Sequence, residues 1–444
     1  MAEKLISMVD KYKKIILDTQ DYIWKNPETG YREVKTSKYL EKEFEKLGYN
    51  LTKAGNIPGF YTTIDTGRPG PTVLIMGELD SLICPEHPDA DKETGAVHCC
   101  GHSAQCAALL GVAAVLSEPG ALDALSGKIR LCAVPAEELI EIEYRSNLKK
   151  EGIIKYFGGK TEFLYRGYFD DVDLAFMVHT TTTEHFAIRK GSVGCLAKRV
   201  IYKGISAHAG GFPWNGVNAL YAANLGISAI NSIRETFKEE DIIRIHPIIT
   251  KGGNAVNAIP DEVIIESYIR GSSFSAIEAA NKKANRALTG AALSLGANID
   301  IIDNPGYGPL VNCDTLADVY EDAAKYFPDV EFSRNNIMGS GSTDMGDLSR
   351  VMPAIHPYVG GAIGTSHGAD YFIKNPELAC IGSAKIQLAT LYLLLSDNAK
   401  RATKIKENYT PEFASFSEYF KYIDTLADSG DRICYNRDGS AVVR

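Results

Sequence analysis

The string His98-Cys99-Cys100-Gly101-His102 sets a thiol two residues before an imidazole, and Pro135-Ala136-Glu137-Glu138 closes an apolar run with two adjacent carboxylates. Two further histidines stand alone, His179 at the end of an apolar run and His367 in the loop Gly364-Thr365-Ser366-His367-Gly368. Thiolate, imidazole and carboxylate are ligands for a zinc-like ion, and there are enough of them for one ion or two. The chemistry this implies is metal-assisted hydrolysis. A bound ion lowers the pKa of water towards about 7, and a nearby free carboxylate carries the proton.

Each motif has a plainer reading. A bare C-x-H describes a buried thiol beside a satisfied histidine just as well, and a Glu-Glu pair can be an exposed acidic loop. Neighbouring carboxylates after a strand diverge, however, so one can bind metal while the other stays free as a base. Asp80, in Gly77-Glu78-Leu79-Asp80-Ser81, follows another apolar run and suits the second N–H of a metal-bound imidazole, or else caps a turn. A lone histidine is more often structural than a ligand. Several independent strands that each end in a donor are harder to explain that way, and jointly they favour metal. Further along, His208 in Gly204-Ile205-Ser206-Ala207-His208-Ala209 could polarise a substrate carbonyl or cap a turn. Asn257 and Arg270 add an amide and a guanidinium, the latter shaped for a substrate carboxylate unless it is a surface strand charge.

The elements that must position these residues alternate. Helical spacing runs from about 4 to 25 (Ile6, Val9, Tyr12, Ile15, Ile16) and from Ser37 to Leu47, with a turn at Asn26-Pro27-Glu28-Thr29-Gly30 between them. Thr72 to Met76, Ile129 to Val134 and Val172 to Val178 read as strands, and Ala104 to Leu116 as a helix, which predicts an α/β fold whose sheet is covered on both faces. From about Ser192 the order is strand (195–202), helix (215–233), strand (242–250), strand (262–270), helix (276–295), strand (298–302). This βαββαβ pattern is the ferredoxin-like split unit. The alternating pattern resumes after Asn304, with a helix at 314–326, a strand at 354–359 and a helix at 378–395. The expected architecture is therefore a discontinuous α/β domain, 1–191 and 305–444, with a small α+β domain inserted at 192–304. Beyond about Ala402 the chain is polar and Tyr-rich and reads as a peripheral helix with a ragged tail.

The chain has 444 residues, a formal net charge of −9 and scattered rather than clustered Lys and Arg, which argues against a nucleic-acid partner. The first 25 residues lack a signal-peptide apolar region, and no run reads as approaching the roughly 18 apolar residues of a membrane span, so a cytoplasmic protein with no membrane partner is expected. Nine cysteines, an odd number without framework spacing, fit a reducing compartment.

Taken in order from Asn26-Pro27-Glu28-Thr29-Gly30-Tyr31 to the helix near Leu378, these motifs resemble the aminoacylase and carboxypeptidase-G-like metallopeptidases. Within them the chain is most similar to the amidohydrolase branch of p-aminobenzoyl-glutamate and plant indole-acetyl-amino-acid hydrolases. The resemblance implies a zinc-peptidase-like catalytic domain with two divalent ions, Zn2+ or Mn2+. Cys100 corresponds to the bridging thiolate, His102, Glu138, His179 and His367 to the other ligands, and Glu137 to the general base. It implies that the insert is a lid through which a homodimer forms, that His208 steadies the oxyanion in the partner's site, and that Asn257 and Arg270 hold substrate. Asp80 keeps its supporting role. The chain departs from the family string H-A-C-G-H-D-x-H at Ser103 and Gln105, and Gly341-Ser342-Thr343-Asp344 carries the S-T-D form of the p-aminobenzoyl-glutamate and β-alanyl-dipeptide hydrolases. Leu139 to Phe157 is longer than the link expected before Gly158-Gly159-Lys160. The implied substrate is an N-acyl or aminobenzoyl amino acid or a small peptide conjugate. Two alternatives stand beside it, a dipeptidase acting on free dipeptides and a non-catalytic binding subunit.

Overall fold

The structure is a computed structural model describing residues 1–444. A six-stranded sheet runs in the order Thr52–Lys53, Phe60–Asp65, Lys128–Val134, Thr72–Glu78, Leu174–Phe176, Ala354–Ile355. Its centre is parallel: Thr72–Glu78 lies between Lys128–Val134 and Leu174–Phe176 and runs with both. Successive side chains of a strand point to opposite faces, and here both faces are apolar. Val73, Ile75, Ile129 and Leu131 join one core with the helices Lys13–Lys25, His102–Leu116 and Ser383–Asn408. Leu74, Met76, Cys132 and Val134 join another on the opposite face, with Phe163, Tyr307, Met345 and Tyr419. A parallel sheet covered twice sends its strand ends to one edge, where α/β folds place their sites.

A second, antiparallel sheet has the order Arg244–Ile245, Glu262–Gly271, Gly194–Lys203, Asn298–Tyr307, Asp428–Asp431. The helices Ala219–Ser232 and Phe274–Ser294 pack on one face over Val200, Val263, Ile265, Ile299 and Ile301. The strand expected across 242–250 is broken into Arg244–Ile245 and Ile248–Lys251. Pro247 falls at the break and has no N–H to give the ladder.

The helix expected at 378–395 is found: it opens with a π-helical turn at Glu377–Gly382 and continues as Ser383–Asn408, with non-helical backbone at Ser396–Ala399. Two other expectations are corrected. Together, Glu377–Asn408 is long and apolar enough by composition to cross a membrane, contrary to the sequence reading; it packs inside the protein, with 72% of its apolar window buried. The chain end is not a ragged appendage either. Phe416–Asp424 is a helix whose Tyr419 is fully buried and donates its hydroxyl to Asp347, and Asp428–Asp431 adds an edge strand to the second sheet beside Asn298–Tyr307. Its apolar positions 416, 419, 420 and 423 lie on one helical face that polar neighbours mask in the sequence.

Candidate metal centre and active site

The turn into the helix His102–Leu116 is made by Gly101 at φ +96°, and a Cβ there would stand 2.6 Å from the Tyr371 hydroxyl oxygen, so this left-handed corner demands glycine. It leaves Cys100 at the cleft and His102 fully buried in the first helical turn. The ligand atoms of Cys100, His102 and His179 lie within 4.8 Å of one another, and so do those of Cys100, Glu138 and His367. The two triads share one thiol. His179 Nε2 is 3.5 Å from Cys100 Sγ, and His367 Nε2 is 3.5 Å from Glu138 Oε1. The His367 loop is docked by its own N–H, which donates to the Cys99 carbonyl at 2.9 Å.

The imidazoles are oriented from behind. His179 Nδ1 meets the Thr180 carbonyl at 2.7 Å and His102 Nδ1 the Asp80 carbonyl at 2.9 Å. A carbonyl only accepts, so each Nδ1 carries the hydrogen; that leaves His179 Nε2 turned to Cys100, whereas His102 Nε2 lies 3.1 Å from Glu78 Oε2. Asp80 Oδ1 lies 3.2 Å from His102 Nδ1, and Asp80 Oδ2 accepts the Glu138 N–H at 2.7 Å. One carboxylate thus steadies an imidazole and the loop bearing Glu138. His102 Nε2 and Glu138 Oε1 are buried without a hydrogen-bond partner, and a cation between such groups would satisfy both. The donor set therefore suits divalent metal, which Cys100, His102, His179, Glu138 and His367 would hold.

Electrostatics separate the roles. Burial pushes His179 down to about 4, keeping it a neutral donor. Burial also acts to lower His102, but Glu78 and the hydrogen bond to Asp80 outweigh it and hold its pKa well above the ordinary value. The Cys100 thiol is raised by burial and by Glu138, so the positive charge of an ion is what would make it a thiolate. Glu137 is buried, and its carboxyl is pushed well above the usual range by that burial and by Glu78 and Glu138. Such a shift suits a group that must take up a proton near neutrality.

The cleft holding these groups has a volume of about 310 Å³ and is lined by Cys100, Glu137, Glu138, His179, His367 and Arg270, with Leu82, Leu139 and Ile140 as an apolar wall. His208 and Asn257 are not brought to it. The His208 ring accepts N–H groups of Gly210 and Gly211, and the Asn257 carbonyl accepts the Ala209 N–H, in loops between the strands of the second sheet.

The sequence reading overlooked several residues here. His356 is buried beside His179, with ring centroids 5.5 Å apart, burial lowers its pKa to about 3, and it lines the cleft. Its signal was available: like His179, it closes an apolar run. Arg189 gives the cleft a second guanidinium. Below the ligands, the fully buried Lys160 bridges Glu78 and Asp344, each at 2.5 Å, and Gln105 donates to Glu78 at 2.8 Å. Gln105 thus occupies one of the two variant positions of the Cys-Gly-His string as a hydrogen-bond donor to the Glu78 oxygen that lies 3.1 Å from His102 Nε2.

Residues 74–391 match peptidase family M20/M25/M40. The chain is similar to the Xaa-Arg dipeptidase of Mus musculus, 30% identical over 403 residues that make up 88% of this chain and 84% of that protein. It is 27% identical to the IAA-amino acid hydrolase ILR1-like 4 of Arabidopsis thaliana, covering 88% of each. In fold it is similar to a dinuclear metal-binding peptidase of Bacillus subtilis, with a TM-score of 0.64 and 19% identity over 87% of this chain and 99% of that one.

Proposed function

This chain belongs to peptidase family M20/M25/M40, a family of metal-dependent hydrolases, and on that footing we propose that it is a dinuclear amidohydrolase acting on an N-acyl or aminobenzoyl amino acid or a small peptide conjugate. The observation that carries this reading is the pair of donor triads sharing Cys100, beside a buried Glu137 that clusters with Glu78 and His102 rather than with Cys100. Zn2+ or Mn2+ held by Cys100, His102, Glu138, His179 and His367 would supply Lewis acidity to the amide carbonyl and to the attacking water. Glu137 takes the proton of that water and returns it to the leaving amine, so the amide C–N bond breaks as the new C–O bond forms. Arg270, with a buried Nε that has no hydrogen-bond partner, receives the substrate carboxylate. A cytosolic setting suits nine unpaired thiols.

A dipeptidase is the second reading, favoured by the similarity to the Xaa-Arg dipeptidase. Arg189 and Arg270 both face the cleft, which opposes a cationic side chain there. A panel of p-aminobenzoyl-glutamate, N-acyl amino acids and free dipeptides, run on freshly reduced protein with its metal content measured, tests both readings. We expect about two ions per chain and turnover on N-blocked substrates. Turnover only with a free amino terminus would favour the dipeptidase, and absence of metal after reconstitution would reject both.

The second sheet is proposed to be a lid that pairs two copies. Trp214 is 74% exposed and Val256 fully so, and Phe212, Tyr221 and Ile248 of the same segment, 204–260, are exposed as well. Such an apolar patch favours a self-complementary contact. It would carry His208 to the partner's cleft, where it steadies the tetrahedral oxyanion. Co-expressed Glu137→Gln and His208→Ala chains are expected to form active mixed dimers, although each homodimer is impaired. Mixed dimers no more active than the parents would refute the shared site.

A further inference from the structure

The segment Leu139 to Phe157 sends one side chain back beneath the loop that carries the carboxylates. Arg145, in the helix Ile142–Lys150, is fully buried. Its guanidinium donates to the carbonyls of Ala136 (3.2 Å), Glu138 and Phe157. The first two flank Glu137. Burying a guanidinium is costly, and one that only filled space would be replaceable by an apolar side chain. Here its fork is spent on backbone acceptors in a stretch that needs holding, because Ala136 is a non-glycine residue at φ +57°.

The surroundings are built to admit it. The ring of Tyr31 lies 5.5 Å from the guanidinium carbon. A Cβ on Gly30 would overlap Arg145 Nη2 and stand 3.0 Å from the Ala136 Cα. The turn Asn26 to Tyr31 therefore leaves a notch for this one side chain. The rest of the loop is held from other elements: the Glu33 carboxylate accepts the Ala136 N–H at 2.7 Å, and Tyr307 and Tyr268 donate to the carbonyls of Glu137 and Leu139. Arg145 alone spans both sides of Glu137.

We infer that Arg145 is a positioning residue for the hydrolytic site, its guanidinium fixing the two peptide carbonyls that flank Glu137. Glu137 is thereby aimed into the cleft, and Glu138 towards Cys100 and His367. The inserted segment thus serves as an internal brace for the base and for one metal ligand. This inference rests on the proposed role of Glu137.

Arg145→Ala, Arg145→Lys and Gly30→Ala test it in the intact enzyme. Second-sphere losses of this kind run to about 10- to 100-fold, and Arg145→Ala should lose kcat by that factor with KM near wild type. Guanidinium ion at sub-denaturing concentration should restore part of the lost rate, and it should do nothing for the wild type. Arg145→Lys keeps the charge without the fork and should remain impaired. Gly30→Ala, which displaces the guanidinium without removing it, should lower kcat in a folded protein. Metal content by mass spectrometry and affinity by chelator competition report on Glu138 separately from turnover. A folded Arg145→Ala enzyme with kcat within about twofold of wild type overturns the inference. So does a loss that guanidinium fails to restore and Gly30→Ala does not share, or a set of Arg145 variants that simply do not fold. If Glu137→Gln itself keeps turnover, the role of Glu137 fails and this inference with it; if that variant is inactive while Arg145→Ala is normal, only this inference fails.

Discussion

Glu137→Gln is expected to bind its metal and substrate and to turn over about 10²- to 10⁴-fold more slowly, the range that a positioned general acid–base group contributes. The amide matches the carboxyl in shape, so the loop that Tyr307 and Arg145 hold by its carbonyls has no reason to move. What is lost is the capacity to accept a proton and give it back. Glu137 is well prepared for that exchange, because burial first, and then Glu78 and Glu138, raise its pKa. Glu138→Gln is the informative contrast, since it removes a charged ligand from the triad with Cys100 and His367 and should lower metal content as well as rate. Steady-state kinetics with metal analysis on the same preparations decide the matter. Near-normal turnover in Glu137→Gln would end its assignment as the base.

The largest stability effect is expected from Lys160→Met. Lys160, Glu78 and Asp344 are all fully buried, and the ammonium is the cation that joins the two carboxylates. Removing one partner of a buried ion network leaves uncompensated charge and costs about 3–5 kcal/mol. Although burial acts to raise it, Glu78 is held well below the usual carboxylate range by Lys160, whereas Asp344 sits up at about 6 because burial outweighs the same cation. Without Lys160 both carboxylates bind protons more readily in the folded state. The deficit relative to wild type should therefore be greatest at alkaline pH and shrink as pH falls towards and below 6. Urea unfolding at two pH values reads this directly. Adding Glu78→Gln and Asp344→Asn to Lys160→Met should recover much of the loss, because a neutral trio no longer buries unpaired charge. A pH-independent deficit, or none, would show that the triad is not an ionic unit.

The candidate donors were legible in the sequence: Glu138 and His179 follow apolar runs, whose strand ends a parallel sheet brings to one edge, Cys100 and His102 stand in one short string, and His367 lies in a Gly-rich loop. His356 was passed over because the strand expected at 354–359 runs through it, whereas the structure divides that run into Ala354–Ile355 and Tyr358–Val359 and leaves His356 at the break. The break at Pro247 was readable as well, since a missing N–H is a local property.

The remaining features depend on partners distant in the chain, about which periodicity is silent. Nothing local distinguishes Lys160 from a surface lysine; only the fold sets it between Glu78 and Asp344, 82 and 184 residues away. Arg145 lies in a charged, weakly amphipathic helix that reads as solvated, yet the notch at Gly30 and the carbonyls around Glu137 enclose it. The chain end looked peripheral because its apolar face is narrow, and it is the edge of Asn298–Tyr307 that turns Asp428–Asp431 into a strand. The sequence by itself thus picked out candidate donor atoms, through residue type and position in the chain. The tertiary structure decided which of them meet, what charge each carries and what braces them, because burial and long-range hydrogen bonding exist only once the sheets and the inserted helix have packed.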